Sequence, residues 1–519
     1  MATKAKAQEE QHAMGSGSGR GEGGGGGGEG GVAEEQVDAR TMEALRAAMS
    51  PADRQYAAQK NVPRRIHIVG TGSIGKLVAH SLRGIPDPPP VTLIFHRYKL
   101  LQAWNWSSKV ITVQDGEFTV PRGGFDVELA PEARVQYGNV LQEGKPDVYS
   151  LSDQTGLKPH QVAKIVADQQ RESAKPDGEE EAQEKKVDSK PVAAEEPQSP
   201  SRKPQPGDYP TSDEPIHNLI VCTKTIRTVA ALAALRHRIT KDTTICFLQN
   251  GMGVIDDINT TLFPDESTRP QYLQGIVTHG ANVPLQKALA DPFFVVHAGH
   301  GTIALGAVVP PKSHSRPATP TGYGTENPGK LDEKDVNELQ PTGRYIVRTL
   351  TRAPVLQCVA FTPLELFQLQ LEKVAINSVL NPLTALLDNR NGTILYTFAL
   401  TRTMRLMIAE TSLIIRSLPE LRGIPNVPNR FSAERLETLV VSVANQTRDN
   451  ISSMLADVRR GAQTEIEYIN GYIIKRGEEM NIKAIVNYAI MQVVVGKALM
   501  SQREYESEVP MQKRDVNRE

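Results

Sequence analysis

The hexapeptide Gly70-Thr71-Gly72-Ser73-Ile74-Gly75 restricts this chain more than any other feature, because of what flanks it. Arg64 to Val69 (RRIHIV) is a short apolar run that stops at a glycine and reads as a buried strand. Ser73 to Leu82 then sets Ile74, Leu77, Val78 and Leu82 at helical spacing. Strand, glycine turn and helix in that order form the context in which G-x-G-x-x-G cradles a dinucleotide. The first glycine permits the tight turn, the second lets a pyrophosphate approach the backbone, and the third lets helix and strand pack closely. The helix start adds unpaired N–H groups and a partial positive charge. Gly70, Thr71, Gly72, Ser73, Ile74 and Gly75 are therefore expected to bind a dinucleotide.

The end of the next strand separates the two nicotinamide cofactors. Val91 to His96 (VTLIFH) reads as that strand, and it runs into Arg97-Tyr98-Lys99 without a carboxylate. An NAD site usually has Asp or Glu there for the ribose 2′-OH. A guanidinium instead suits a 2′-phosphate, through charge-assisted hydrogen bonds. Arg97 is accordingly expected to select NADPH/NADP, with Lys99 assisting.

Leu219 to Thr223 (LIVCT) and Thr244 to Leu248 (TICFL) are further expected strands, with a helix over Thr228 to Arg238 between them. Thr302 to Leu305 is expected to be the last strand. Strands alternating with helices imply a parallel, doubly wound sheet. Val110 to Val113 and Phe118 to Val120 flank Asp115-Gly116, a hairpin-type turn added to the alternation. From about Gly343 the pattern turns helical, with helices expected over Pro363 to Ala385, Thr397 to Ser417, Arg435 to Val458, Thr464 to Met480 and Ala484 to Ser501. The fold class read from the sequence is α/β plus all-α: an N-terminal Rossmann-type doubly wound sheet followed by an α-helical C-terminal domain.

Three segments lack the apolar periodicity that would offset the entropy of ordering them. These are a Gly-rich tail and lead-in over 1–60, an insertion over about 167–215 dense in Glu, Lys, Pro and Ser, and a Pro/Thr/Gly-rich linker over 310–342. The expected domains are then 61–309 for the dinucleotide-binding sheet and 343–505 for the helical part, with a tail over 506–519.

Lys plus Arg total 59 against 60 Asp plus Glu, a balance that argues against a nucleic-acid partner. No apolar run approaches the ~20 residues of a spanning helix, so no membrane association is expected. The three cysteines, Cys222, Cys246 and Cys358, have neither disulfide nor metal-site spacing. No His/Cys/carboxylate cluster has ligand spacing along the chain, so no metal is expected. The tail lacks the apolar core of a secretion signal, and its acids disfavour a mitochondrial presequence. A cytoplasmic location is expected, with mitochondrial as the alternative.

Further phrases point to a family. Leu248-Gln249-Asn250-Gly251-Met252-Gly253 follows the strand TICFL. Glu372-Lys373-Val374-Ala375-Ile376-Asn377 is followed by Leu380-Asn381-Pro382-Leu383-Thr384-Ala385, then by Ser452 to Val458 (SSMLADV) and Thr464 to Gly471 (TEIEYING). Together with the glycine loop, and in this order, these phrases resemble the ketopantoate reductase (2-dehydropantoate 2-reductase) family. The resemblance covers about Arg64 to Gly306 and about Pro354 to Met500. It implies that substrate and nicotinamide meet in a cleft between a Rossmann domain and a helical domain. It also implies NADPH-dependent reduction of 2-dehydropantoate to (R)-pantoate, a step of pantothenate and coenzyme A synthesis.

Lys373, Asn377 and Asn381 are spaced i, i+4, i+8 and fall within roughly 80° of one helix face. Polar groups there need partners, which a substrate with a carboxylate, a ketone and a hydroxyl can supply. Pro382 is expected to bend this helix, because it has no N–H to give Ser378. The resemblance implies that Lys373 is the proton donor and Glu465 a cleft carboxylate beside both cofactor and substrate, the natural partner of Lys373. It further implies that Asn250, Asn377, Asn381, Asn391 and Ser453 bind substrate. Lys224 and Asn250, both just beyond strands, would contact the cofactor, as would Glu465 and the backbone of Ala281. His279 tempts as an acid but reads as a packed histidine. One departure stands out: where the family often has Thr-Pro, this chain reads Asn481 to Asn487 (NIKAIVN).

Two rival readings stay open. One is a reductase of another branched 2-oxo acid on the same scaffold. The other is a non-catalytic interaction protein that uses the insertions to dock protein partners. The sequence does not fix the oligomeric state, for which a homodimer is one candidate.

Overall fold

The computed structural model describes residues 62–130, 164–166, 211–308 and 339–507. The tail expected over 1–60, nearly all of the 167–215 and 310–342 segments, and residues 508–519 lie outside the described residues.

The apolar run before the glycine loop is strand β1 (Ile66–Val69), wholly buried, and the amphipathic run after it is helix α1 (Ser73–Leu82). Strand β2 (Val91–Phe95), helix α2 (Tyr98–Trp106) and a hairpin of β3 (Ile111–Asp115) and β4 (Phe118–Arg122) follow, then β5 (Phe125–Leu129). Next come β6 (Ile216–Val221), β7 (Ile239–Phe247), β8 (Gln271–Val277), β9 (Gly280–Asn282), β10 (Phe294–Gly299), β11 (Ile303–Ala307) and β12 (Cys358–Ala360).

Eight strands form one sheet in the order β12-β11-β8-β7-β6-β1-β2-β5. All neighbours in it are parallel except β8 and β11. This is the Rossmann-type sheet. From β1 the chain moves outward one way to β2 and β5, and the other way to β6, β7 and β8. The reversal lies between β1 and β6, so the loops after these two strands flank the crevice where such sheets bind ligands. The hairpin leaves this sheet and joins a second one, ordered β4-β3-β10-β9.

Several elements differ from the sequence reading. Strands β5, β8, β9, β10 and β12 were not expected. The helix expected over 228–238 is an α-helix only over Thr228–Ala233, flanked by 3-10 turns. Helix α3 (Pro341–Thr351) starts inside the segment expected to be a linker. Its Ile346, Val347 and Leu350 join the core of the sheet, and β12 pairs with β11. The sheet domain therefore extends beyond 343, and the helical part begins with α4 (Pro363–Leu387).

The longer helices that follow α4 are α5 (Phe398–Ser417), α6 (Ala433–Gln446), α7 (Ser453–Arg459), α8 (Asn470–Glu479) and α9 (Ile485–Ser507). The single helix expected over 435–458 is two, α6 and α7. Ser452 starts the second by accepting the Leu455 N–H. Helix α4 runs through Pro382, and the carbonyl that Pro382 cannot satisfy, that of Ser378, accepts 2.8 Å from Asn470 Nδ2. Asn470 is fully buried and also donates to Asn487, which ties the TEIEYING phrase and the NIKAIVN loop to the centre of α4.

Candidate functional site

The glycine loop has the tolerances its three positions require. Gly70 adopts φ +94°, and a Cβ there would lie 2.5 Å from the backbone of Cys222 and Thr223 at the end of β6. A Cβ on Gly75 would stand 1.9 Å from the Gly70 carbonyl oxygen. A Cβ on Gly72 would meet nothing within 4 Å. Gly70 and Gly75 are thus demanded by the fold itself, whereas the space over Gly72 is open to a ligand. Gly72 also begins α1 with no side-chain cap, so the first N–H groups of that helix are not closed off from an anion by a cap. Thr71, Ser73 and Ile74 are half-buried around this opening. Arg97 stands at the start of α2, directly after β2, as the sequence order requires.

Three loops at the carboxyl ends of β6, β7 and β8 meet the helical part. Lys373, on α4, donates 2.9 Å to Asn250 Oδ1 beyond β7 and 2.7 Å to the carbonyl of Val277 at the end of β8. Burial lowers its pKa to about 8, and the Glu465 carboxylate opposes the shift. Thr225, just past β6, gives its hydroxyl to the Asn250 carbonyl at 2.7 Å. Its backbone N–H and its hydroxyl also lie 2.9 and 3.0 Å from Glu465 Oε1. Lys224 pairs with Asp457 at 2.9 Å and with Glu465 at 3.8 Å. Arg460 closes the chain on the other oxygen of Asp457.

This geometry corrects the expected pairing. Glu465 acts on Lys373 through its charge alone; its hydrogen bonds come from Thr225, and Lys224 stands off at ion-pair distance. Two residues escaped the sequence reading. Asp457, 2% exposed, holds both cations, and burial raises its carboxyl pKa in spite of them. Thr225 joins Asn250 to Glu465. Asp457 lies inside the SSMLADV phrase, but its partner is 233 residues away, so no local pattern could reveal the pair.

The other expected substrate residues divide. Asn377 and Asn381 follow Lys373 along α4, and neither side-chain amide bonds to another described residue. Ser453 is exposed at the start of α7, while its neighbour Ser452 is buried and accepts from Thr384 of α4 at 2.7 Å. Asn391 is already engaged, giving Nδ2 to Thr447 at 2.9 Å, although its Oδ1 is buried without a partner. Ala281 lies in β9, registered against His297 of β10. His279 is buried and hydrogen-bonded, as expected. Among the described residues, no helix is long and apolar enough to cross a membrane.

Two family models match the sequence: ketopantoate reductase PanE/ApbA over residues 156–310, and the ketopantoate reductase PanE/ApbA C-terminal region over 365–498. The first begins downstream of the glycine loop, so the reading of that loop rests on its own geometry. The chain is 30% identical over 278 residues to a probable 2-dehydropantoate 2-reductase of Schizosaccharomyces pombe, covering 53% of this chain and 72% of the relative. It is 22% identical over 469 residues to a ketoisovalerate reductase of Beauveria bassiana, covering 83% of this chain and 82% of the relative. Among solved structures, a D-mandelate dehydrogenase with NADH and anilino(oxo)acetate superposes with a TM-score of 0.52 at 14% identity, covering 84% of this chain and 99% of the other.

Proposed function

This chain belongs to the ketopantoate reductase family, and we propose from that premise that it reduces 2-dehydropantoate to (R)-pantoate with NADPH. The observation that carries the proposal is the Lys373 ammonium. Two of its three protons go to fixed acceptors, Asn250 Oδ1 and the Val277 carbonyl, which leaves one for a substrate oxygen.

The residues present fit a dinucleotide. The open space over Gly72 and the uncapped start of α1 suit a pyrophosphate, and Arg97 suits a 2′-phosphate. Lys224, ion-paired to Glu465, with Asn250 joined to Glu465 through Thr225, would hold the nicotinamide end, and Ala281 would add its backbone. When bound, the cofactor supplies the hydride. The protein's part is to place the 2-oxo carbon and receive the charge that develops on its oxygen. Lys373 stabilises that alkoxide and gives it a proton. With a pKa of about 8 it gives up that proton more readily than an exposed lysine does, while staying protonated near neutral pH. Asn377 and Asn381, unengaged on the same helix, are available to the carboxylate and hydroxyl of the substrate, with Ser453 at the start of α7. Asn391 gives its Nδ2 to Thr447, and its buried Oδ1 remains without a partner.

A second reading is favoured by one observation. The ketoisovalerate reductase of Beauveria bassiana aligns over 83% of this chain, against 53% for the Schizosaccharomyces pombe relative. Ketoisovalerate lacks the hydroxyl of 2-dehydropantoate. A site that bonds this hydroxyl rejects the shorter acid by about 10⁴-fold or more, whereas an apolar pocket discriminates weakly. Turnover of both acids, each with NADPH and NADH, tests the proposal. Preference for NADPH and 2-dehydropantoate supports it. Preference for ketoisovalerate moves the substrate to the second reading, and no oxidation of either cofactor overturns both.

A further inference from the structure

The second sheet carries a cluster that takes no part in the chemistry above. Strands β10 and β3 run parallel with Val296 beside Gln114, which brings His297 next to Asp115 at the hairpin turn. His300, in the link to β11, folds back so that its Nε2 lies 2.9 Å from Asp115 Oδ1. One atom from each of Asp115, His297 and His300 lies within 4.8 Å of the other two. Nothing along the chain announced this, because His300 and Asp115 are 185 residues apart. The expectation of no metal cluster rested on local spacing and could not see it.

The tautomers follow from the neighbours. The Gly301 N–H donates to His279 Nδ1 at 3.1 Å, so that nitrogen carries a lone pair. His279 then holds its proton on Nε2, which donates to the Leu356 carbonyl at 2.9 Å. His297 Nε2 is 3.0 Å from the same His279 Nδ1 and must be the donor there. That leaves the lone pair of His297 on Nδ1. This atom is buried and has no hydrogen-bond partner, the His297 side chain is 0% exposed, and Nδ1 faces Asp115 Oδ2 at 3.7 Å. A lone pair and a carboxylate turned toward each other, with no donor between them, call for a cation.

We propose that His297 Nδ1, His300 Nε2 and an oxygen of Asp115 bind one divalent ion of the zinc class, leaving a fourth position to water. Two imidazoles and one carboxylate are the donor set that a borderline ion prefers, rather than the all-oxygen shell of Mg²⁺ or Ca²⁺. His279 is the positioning residue: its bond to Nε2 fixes the tautomer and aim of His297, as outer partners of metal-bound histidines do. Asp115 and His300 are 43% and 59% exposed, which gives the ion a way in. Occupancy ties β3 to the β10–β11 link and fixes the sheet whose outer strand carries Ala281.

The test uses the full-length protein, stripped with a chelator and titrated with Co²⁺ and then Zn²⁺. One equivalent of Co²⁺ is expected to bind with the visible absorption of low-coordinate cobalt, to be displaced by Zn²⁺, and to raise the melting temperature. Asp115→Asn and His300→Ala, both at exposed positions, should melt like the metal-free wild type yet lose more affinity than removal of an outer partner does, which costs about 10–100-fold. His279→Gln should weaken binding by about 10-fold, leaving the stoichiometry at one. No stoichiometric binding to the wild type overturns the site, and so do isotherms that the Asp115 and His300 variants leave unchanged.

Discussion

Lys373 is held where its charge is resisted, since burial lowers its pKa to about 8 while Glu465 pulls the other way. If it donates the proton, kcat falls about tenfold per pH unit above that value, as the ammonium is lost. A profile of kcat from pH 6 to 10 checks this, and a flat profile through pH 9 contradicts it. Stability has the opposite sign. The folded pKa lies below the ordinary lysine value of 10.5, so between about 8 and 10.5 the unfolded chain holds the extra proton and stability rises with pH. Lys373→Met should remove that part of the slope from the denaturation midpoint. Asp457 makes a separate prediction. Asp457→Asn takes the carboxylate from Lys224 and Arg460 and should destabilise the fold by about 1–3 kcal/mol, read by urea denaturation. An unchanged midpoint would mean that the pair carries no net stability. At this scale the sequence shows residue types and helix-face spacing, so the Lys373, Asn377, Asn381 face was legible. Which acid meets which lysine was not, because the sheet loops and the helical part that supply them are joined only by tertiary packing.

The loop between β1 and α1 separates two roles that a sequence motif merges. Gly75→Ala forces a Cβ onto the Gly70 carbonyl oxygen and should lower both the melting temperature and dinucleotide affinity. Gly72→Ala meets no protein atom, and its φ of -69° suits alanine, so the melting temperature should hold while NADPH binding weakens at least tenfold. Thermal denaturation with and without NADPH distinguishes the two, and equal NADPH affinity in Gly72→Ala would place the pyrophosphate elsewhere. This unit was readable because it is local: an apolar run, glycines and a 3.6-residue period within a few turns. Strand β12 has only three residues, and β9 lies in an equally short pairing; neither has length enough for a period to show. The break between α6 and α7 lies in the polar run Asn445 to Asn450, which by itself also suits an exposed helix face, and the capping serine Ser452 follows it.

Across the whole molecule, the sheet gains a strand and a helix from beyond the expected boundary, and the helical part begins at Pro363. The link between them includes apolar packing, with Met252 in the core of the helical part and Tyr468 against that of the sheet, and a polar network. Lys373 reaches back to Asn250 and Val277, and Glu465 and Asp457 reach Thr225 and Lys224. A ligand that fills this junction binds only the folded chain, so NADPH at 100 times its Kd should add about 2.7 kcal/mol of stability. For the proposed reaction, hydride acceptor and proton donor would meet at this same junction. The most direct measurement follows NADPH absorbance with 2-dehydropantoate for the wild type and Lys373→Ala side by side, with NADPH affinity measured separately. If Lys373 is the proton donor, the wild type turns over, the variant shows a kcat about 10²–10⁴-fold lower, and NADPH affinity is unchanged; equal kcat in the two proteins would remove Lys373 from the chemistry.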